Sequence, residues 1–118
     1  MNGGWIGVDL DGTLVVYDHD NWRGPTYVGE PVPVMLERVK GWLAAGIEVK
    51  IFTARVASKS GQREEARAAI KEWCRKHLNT ELDVTAEKDY NMIELWDDRC
   101  VQVEPNTGQP VDPRIAAR

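Results

Sequence analysis

Hydrophobic and polar positions alternate in several short stretches of the chain and recur every three or four residues in two longer ones. Ile6, Val8 and Leu10 alternate with smaller or polar neighbours, as the two faces of a strand do. Residues 15–30 are polar and aromatic. Asp18, Asn21, Gly24 and Pro25 are turn formers set between Val15-Val16-Tyr17 and Tyr27-Val28, which predicts a short flap hairpin over the end of the first strand. Pro31 and Pro33 open a helix, where a missing N–H costs nothing. Its apolar stripe is Leu36, Val39, Trp42 and Leu43, and Gly46 closes it. Ile47 to Phe52 alternates again and predicts a second strand that ends in Thr53-Ala54-Arg55. Gln62 to Leu78 reads as a helix with Glu64 and Glu65 in its first turn, where acids suit the dipole. Its core side is Ala66, Ala69, Ile70, Trp73 and His77. Leu82–Thr85, Met92–Trp96 and Cys100–Val103 predict three more strands, with a polar turn over residues 86–91. From Glu104 onward the chain is rich in Pro and Gly and predicts a loosely packed tail.

Strands alternating with helices predict an α/β fold around a parallel sheet. The expectation is a Rossmann-like three-layer sandwich: about five mainly parallel strands, helices on both faces, a short flap hairpin at about residues 15–30 and no cap domain. A chain of 118 residues suits one domain, assigned to residues 1–104 with a C-terminal tail at 105–118. With 42% hydrophobic and 29% charged residues, the composition is that of a soluble globular protein. A formal net charge of −4 argues against a general electrostatic grip on nucleic acid, which needs a basic face. No apolar run approaches the roughly 18–20 residues needed to cross a bilayer, and no signal-peptide pattern is visible. The two cysteines, Cys74 and Cys100, make no disulfide framework, so free thiols and a cytoplasmic location are expected.

The candidate chemistry sits at the predicted strand ends. An unpaired carboxylate in a dry interior is costly, so Asp9 and Asp11 belong at the carboxyl end of the first strand, where open α/β sheets bind ligands. Two like charges two residues apart call for a cation. Mg²⁺ is the natural choice, because it takes oxygen ligands and is held by one or two carboxylates plus substrate phosphate. Asp11-Gly12 alone also fits a hairpin turn, but that reading leaves Asp9 without a purpose. Thr53, Lys88, Asp97 and Asp98 also lie at or just past strand ends, so right-handed crossovers would gather all six polar groups on one edge.

In this pattern the sequence resembles the haloacid dehalogenase (HAD) superfamily of phosphohydrolases. The likeness covers four short motifs in order: Ile6-Gly7-Val8-Asp9-Leu10-Asp11-Gly12-Thr13-Leu14, then Val49-Lys50-Ile51-Phe52-Thr53-Ala54-Arg55, then Lys88, then Leu95-Trp96-Asp97-Asp98. The first is specific, the second moderately so, and the lone lysine is the weakest. The resemblance implies a Mg²⁺-dependent phosphatase acting on phosphomonoesters through an aspartyl-phosphate. Asp9 would be the nucleophile, and Asp11 the acid and then the base, with its backbone carbonyl toward the metal. Thr53 and the N–H of Ala54 would hold phosphate oxygens, and Lys88 would neutralise the charge gathered there. Asp97 and Asp98 would complete the Mg²⁺ shell with Asp9 and Asp11. Many members carry a cap domain, but residues 15–30 and 53–88 leave no room for one. The open site this implies suits a large or exposed phosphate on a small molecule or a macromolecule, or a homo-oligomer whose neighbouring subunit shields it.

Local readings stand beside these. Thr53 can cap the next turn of the chain, Lys88 can be a solvated surface lysine, and Asp97-Asp98 can be a turn. Arg55 and Arg99 read as surface or supporting ion pairs, His77 and Cys74 as helix packing, and Trp42 and Trp73 as core. No cysteine or histidine spacing suggests zinc. Tyr17, Trp22 and Tyr27 suit either flap packing or stacking on a ring, and His19 has no evident partner. The alternative function is a non-catalytic or regulatory module that binds phosphate and metal on the same fold.

Overall fold

The computed structural model describes residues 3–115. Trp5–Asp9 forms β1, Pro33–Ala44 α1, Glu48–Phe52 β2, Arg63–Leu78 α2, Asp83–Thr85 β3 and Met92–Trp96 β4. The four strands make one parallel sheet in the order β3-β2-β1-β4, so the fold is α/β. The helices start and stop for local reasons. Pro33 opens α1, and Gly46 turns the chain away with a φ of 80°. Gln62 and Asn79 bracket α2 in the left-handed region, at φ 58° and 60°.

Sheet register decides what faces what. Ile6 lies beside Val49, Val8 beside Ile51, and Ile51 beside Val84, so these side chains share one face. They form a single core with Met35 and Val39 of α1 and with Ile70, Trp73, Cys74 and Leu78 of α2. Two successive right-handed crossovers in the same direction put both helices on that face. The expectation of helices on both faces is therefore corrected: the return from β3 to β4 is too short to carry one. On the far face Trp5 lies over Gly7, where an added Cβ would meet its ring at 3.1 Å. The Trp5 indole N–H donates to Asp89 at 2.9 Å, and Lys50 sits over the ring at 4.6 Å, which leaves Trp5 only 2% exposed.

The expected fifth strand is also corrected. Cys100–Val103 lies outside the sheet, because Asp97 accepts the Arg99 N–H at 2.7 Å and turns the chain off the end of β4. Residues 102–104 pair instead with 109–111, through Val111 N–H to Gln102 O and Glu104 N–H to Gln109 O, both at 2.8 Å. The tail thus begins as a small antiparallel turn; its last three residues, like the first two of the chain, lie outside the described residues. The flap pairs only at its base, where Val16 donates to Glu30 O at 2.9 Å and Val32 to Leu14 O at 2.8 Å. Between these bonds it is a loop with a single 3₁₀ turn at His19–Asn21, rather than a hairpin of strands. Both cysteines are free thiols, Cys74 buried and Cys100 exposed. No helix of the described residues is long and apolar enough to cross a membrane.

The facial assignment is open to test. Ile51→Ala, at a position with no exposure, should cost about 2–5 kcal/mol in urea unfolding. Ile93→Ala, on a β4 side chain 43% exposed, should stay within about 0.5 kcal/mol.

Candidate active site

Parallel strands end on one edge, and the acids of this chain stand there. Asp9 closes β1, and Asp97 and Asp98 come directly after β4, the strand beside it. One carboxylate oxygen from each of the three lies within 4.8 Å of the others. The loop after Asp9 is wound tightly, with the N–H groups of Thr13, Leu14 and Val15 all turned onto the Leu10 carbonyl at 2.9–3.3 Å. Gly12 is required in it twice over. Its φ is 86°, and a Cβ there would fall 2.7 Å from an Asp98 carboxylate oxygen. Thr13 Oγ1 donates to the other Asp98 oxygen at 3.2 Å, tying the loop to the far side of the cluster.

Burial pushes the Asp9 carboxyl up from 3.8 to about 7, reinforced by a hydrogen bond with Asp98 and by the charges of Asp97 and Asp98. Three carboxylate oxygens that close repel one another, and the charge of a bound metal ion would offset that repulsion. Asp9, Asp97 and Asp98 are the residues able to hold it.

Asp11 is not part of this cluster. Both of its carboxylate oxygens are taken by Arg55, at 2.9 Å from Nε and 2.6 Å from Nη2. The remaining Arg55 nitrogen, Nη1, donates to the carbonyls of Pro25 at 3.0 Å and Tyr27 at 2.5 Å, and its guanidinium lies 4.5 Å from the Trp22 ring centroid. The Arg55 side chain is only 6% exposed, so of the two readings, surface or supporting ion pair, it is the second: a buried clasp between Asp11 and the flap.

These groups line a cavity of about 860 Å³. Asp9, Asp11, Asp97 and Asp98 stand in its wall with Thr53 and Ala54. Thr53 is buried, and its hydroxyl accepts the Arg55 N–H at 3.2 Å, so it caps a turn and lines the cavity at once. Asp97 combines turn and site in the same way. Lys88 does not line the cavity: it is exposed in the link from β3 to β4. That link is fastened by Thr85 Oγ1, which accepts the Glu87 N–H at 3.0 Å, and by Asp89 to Trp5, so the structure does not bring Lys88 together with the acids. Tyr17, His19, Trp22 and Pro25 bring the flap into the cavity wall, whereas Tyr27 faces a second hollow of about 520 Å³.

No family model matches this chain, and no curated protein matches it. Its fold is similar to the solved structure of a conserved protein from Bacteroides thetaiotaomicron, at 23% identity and a TM-score of 0.55. The match covers 89% of this chain and 84% of that one. This likeness speaks for the fold alone.

The geometry leads to two expected outcomes. In chelator, the folded protein holds the Asp9 proton to about pH 7, while an unfolded Asp releases it near 3.8. The folded state binds more protons between those values, so wild type should lose stability relative to Asp9→Asn as pH rises from about 4 to about 7. Urea melts of both proteins across this range check it, and a parallel pH dependence would contradict it. Separately, Arg55→Gln should cost about 3 kcal/mol, because it strands a partly buried carboxylate and two flap carbonyls. Denaturant midpoints read that loss.

Proposed function

We propose that this protein is a divalent-cation-dependent phosphomonoester hydrolase that works through Asp9. The observation that carries the reading is the meeting of the Asp9, Asp97 and Asp98 carboxylates within 4.8 Å in a cavity also lined by Thr53 and Ala54. The order of the motifs, like that of the haloacid dehalogenase superfamily, supports it. Asp9 attacks phosphorus; the Asp9–phosphorus bond forms as the ester P–O bond breaks, and the leaving oxygen takes up a proton. Water then attacks the same phosphorus and loses a proton, the Asp9–phosphorus bond breaks, and phosphate leaves with the carboxylate restored. Thr53 and the backbone at Ala54 hold the phosphoryl oxygens. Mg²⁺ bound by Asp9, Asp97 and Asp98 would offset the negative charge gathered there and polarise a phosphoryl oxygen.

Asp11 is the group for proton exchange with the leaving oxygen and then with water. It must first turn from Arg55, which occupies both of its oxygens. That grip, with Lys88 outside the cavity, favours a second reading: a phosphate- and metal-binding module with little turnover.

Phosphate release from a phosphomonoester panel separates the two. Turnover should need Mg²⁺, stop in chelator, and fall by about 10³-fold or more in Asp9→Asn. A single stoichiometric phosphorylation without turnover would select the binding module. Full activity in Asp9→Asn would exclude Asp9 as nucleophile.

A further inference from the structure

We propose that the flap wall of the cavity is a ring-stacking subsite, and that the substrate is a free nucleoside monophosphate. The inference rests on the hydrolase reading and deepens it by naming the substrate class. A cavity of about 860 Å³ is far larger than a phosphate group needs and is of the size that takes a drug-sized ligand. Its walls divide by chemistry: carboxylates and Thr53 at the strand ends, Tyr17, His19, Trp22 and Pro25 on the flap. Tyr17 is 40% exposed and Trp22 47%, although packing of the flap upon itself would have buried them. The rings stand 6.0 Å apart between centroids at 59° to each other and form a two-walled corner.

Arg55 makes that corner rigid. Its guanidinium covers one side of Trp22 at 4.5 Å and is itself anchored on Asp11, Pro25 and Tyr27, so the indole is held before any ligand arrives. Aromatic surface presented in advance to a planar ring is the arrangement by which proteins stack nucleobases. The same guanidinium meets Asp11 through two nitrogens and Trp22 over its ring, so one side chain supports both the ring corner and an acid of the cavity wall. The chain has a net charge of −4, so a free nucleotide suits it better than a polyanionic strand end.

Adenosine 5′-monophosphate and ribose 5-phosphate share the sugar phosphate and differ by the base, so their ratio of kcat/KM isolates the subsite. Wild type should favour the nucleotide by on the order of tenfold. The ratio should collapse toward unity in Tyr17→Ala and in Trp22→Ala, and Trp22→Phe should restore most of it. Tyr17→Ala leaves the Arg55–Trp22 stack in place, so it guards against a Trp22→Ala that merely loosens the flap. A ratio near unity in wild type, or one that persists in both alanine variants, would overturn the proposal. Phenyl phosphate matching the nucleotide would put the ring on the ester oxygen and overturn the nucleoside assignment. A 5′-phosphorylated oligonucleotide outcompeting the nucleotide would overturn the free-nucleotide assignment. Calorimetric binding of the same pair to Asp9→Asn with Mg²⁺ keeps the two readings apart. Base-dependent binding without phosphate release in wild type would sink the hydrolase and support the subsite; equal hydrolysis of both esters would do the reverse.

Discussion

Carboxylates brought together without a counter-charge repel one another, and in this protein the register of a parallel sheet holds them in place. Asp9 is the last residue of a central strand, and Asp97 comes just after the strand hydrogen-bonded beside it, with Val8 paired to Trp96. That register fixes the backbone from which both side chains project. The core on one face of the sheet, with Val8, Ile51 and Val39 fully enclosed, supplies the stability against which this strained edge is maintained. Charge and core are thus separated by face: Val8 and Leu10, on either side of Asp9, are without exposure, while Asp9 stands in the cavity wall.

The same separation explains which parts of the molecule could be read from the chain alone. Strands β1, β2 and β4 and both helices were legible in period-two and period-3.6 patterns, although β1 is buried on both faces and β4 shows no clean alternation of burial. Asp9, Asp97 and Asp98 were readable because each follows an apolar run at a predicted strand end, and Asp97 serves a turn and the cluster together. Cys100–Val103 misled because its alternation resembles a strand, while the turn that takes it off the sheet is one side-chain bond, from Asp97 to the Arg99 N–H. Lys88 was the least legible for the opposite reason: a lone lysine carries no pattern that says which way its loop runs.

Arg55 shows what no pattern reports. Its partners are a carboxylate 44 residues earlier and two backbone carbonyls 30 and 28 residues earlier, and carbonyls have no signature in a sequence. The clue available was its place directly after Thr53-Ala54, at the end of a buried strand. A cation there has little solvent to reach and must find acceptors in whatever crosses above it. The flap aromatics are the matching case: their types suggested rings on a surface, but only the fold puts Tyr17 and Trp22 in the same cavity as the acids.

The Arg55 clasp has a mechanical consequence. One planar group satisfies Asp11 on one side and the flap on the other, so the two cannot be released in separate steps at equal cost. Lifting the loop withdraws two acceptors from the guanidinium, and swinging Asp11 away withdraws the counter-charge that steadies it. Movement of the flap and movement of Asp11 are therefore geared together, like a door whose latch is also its hinge.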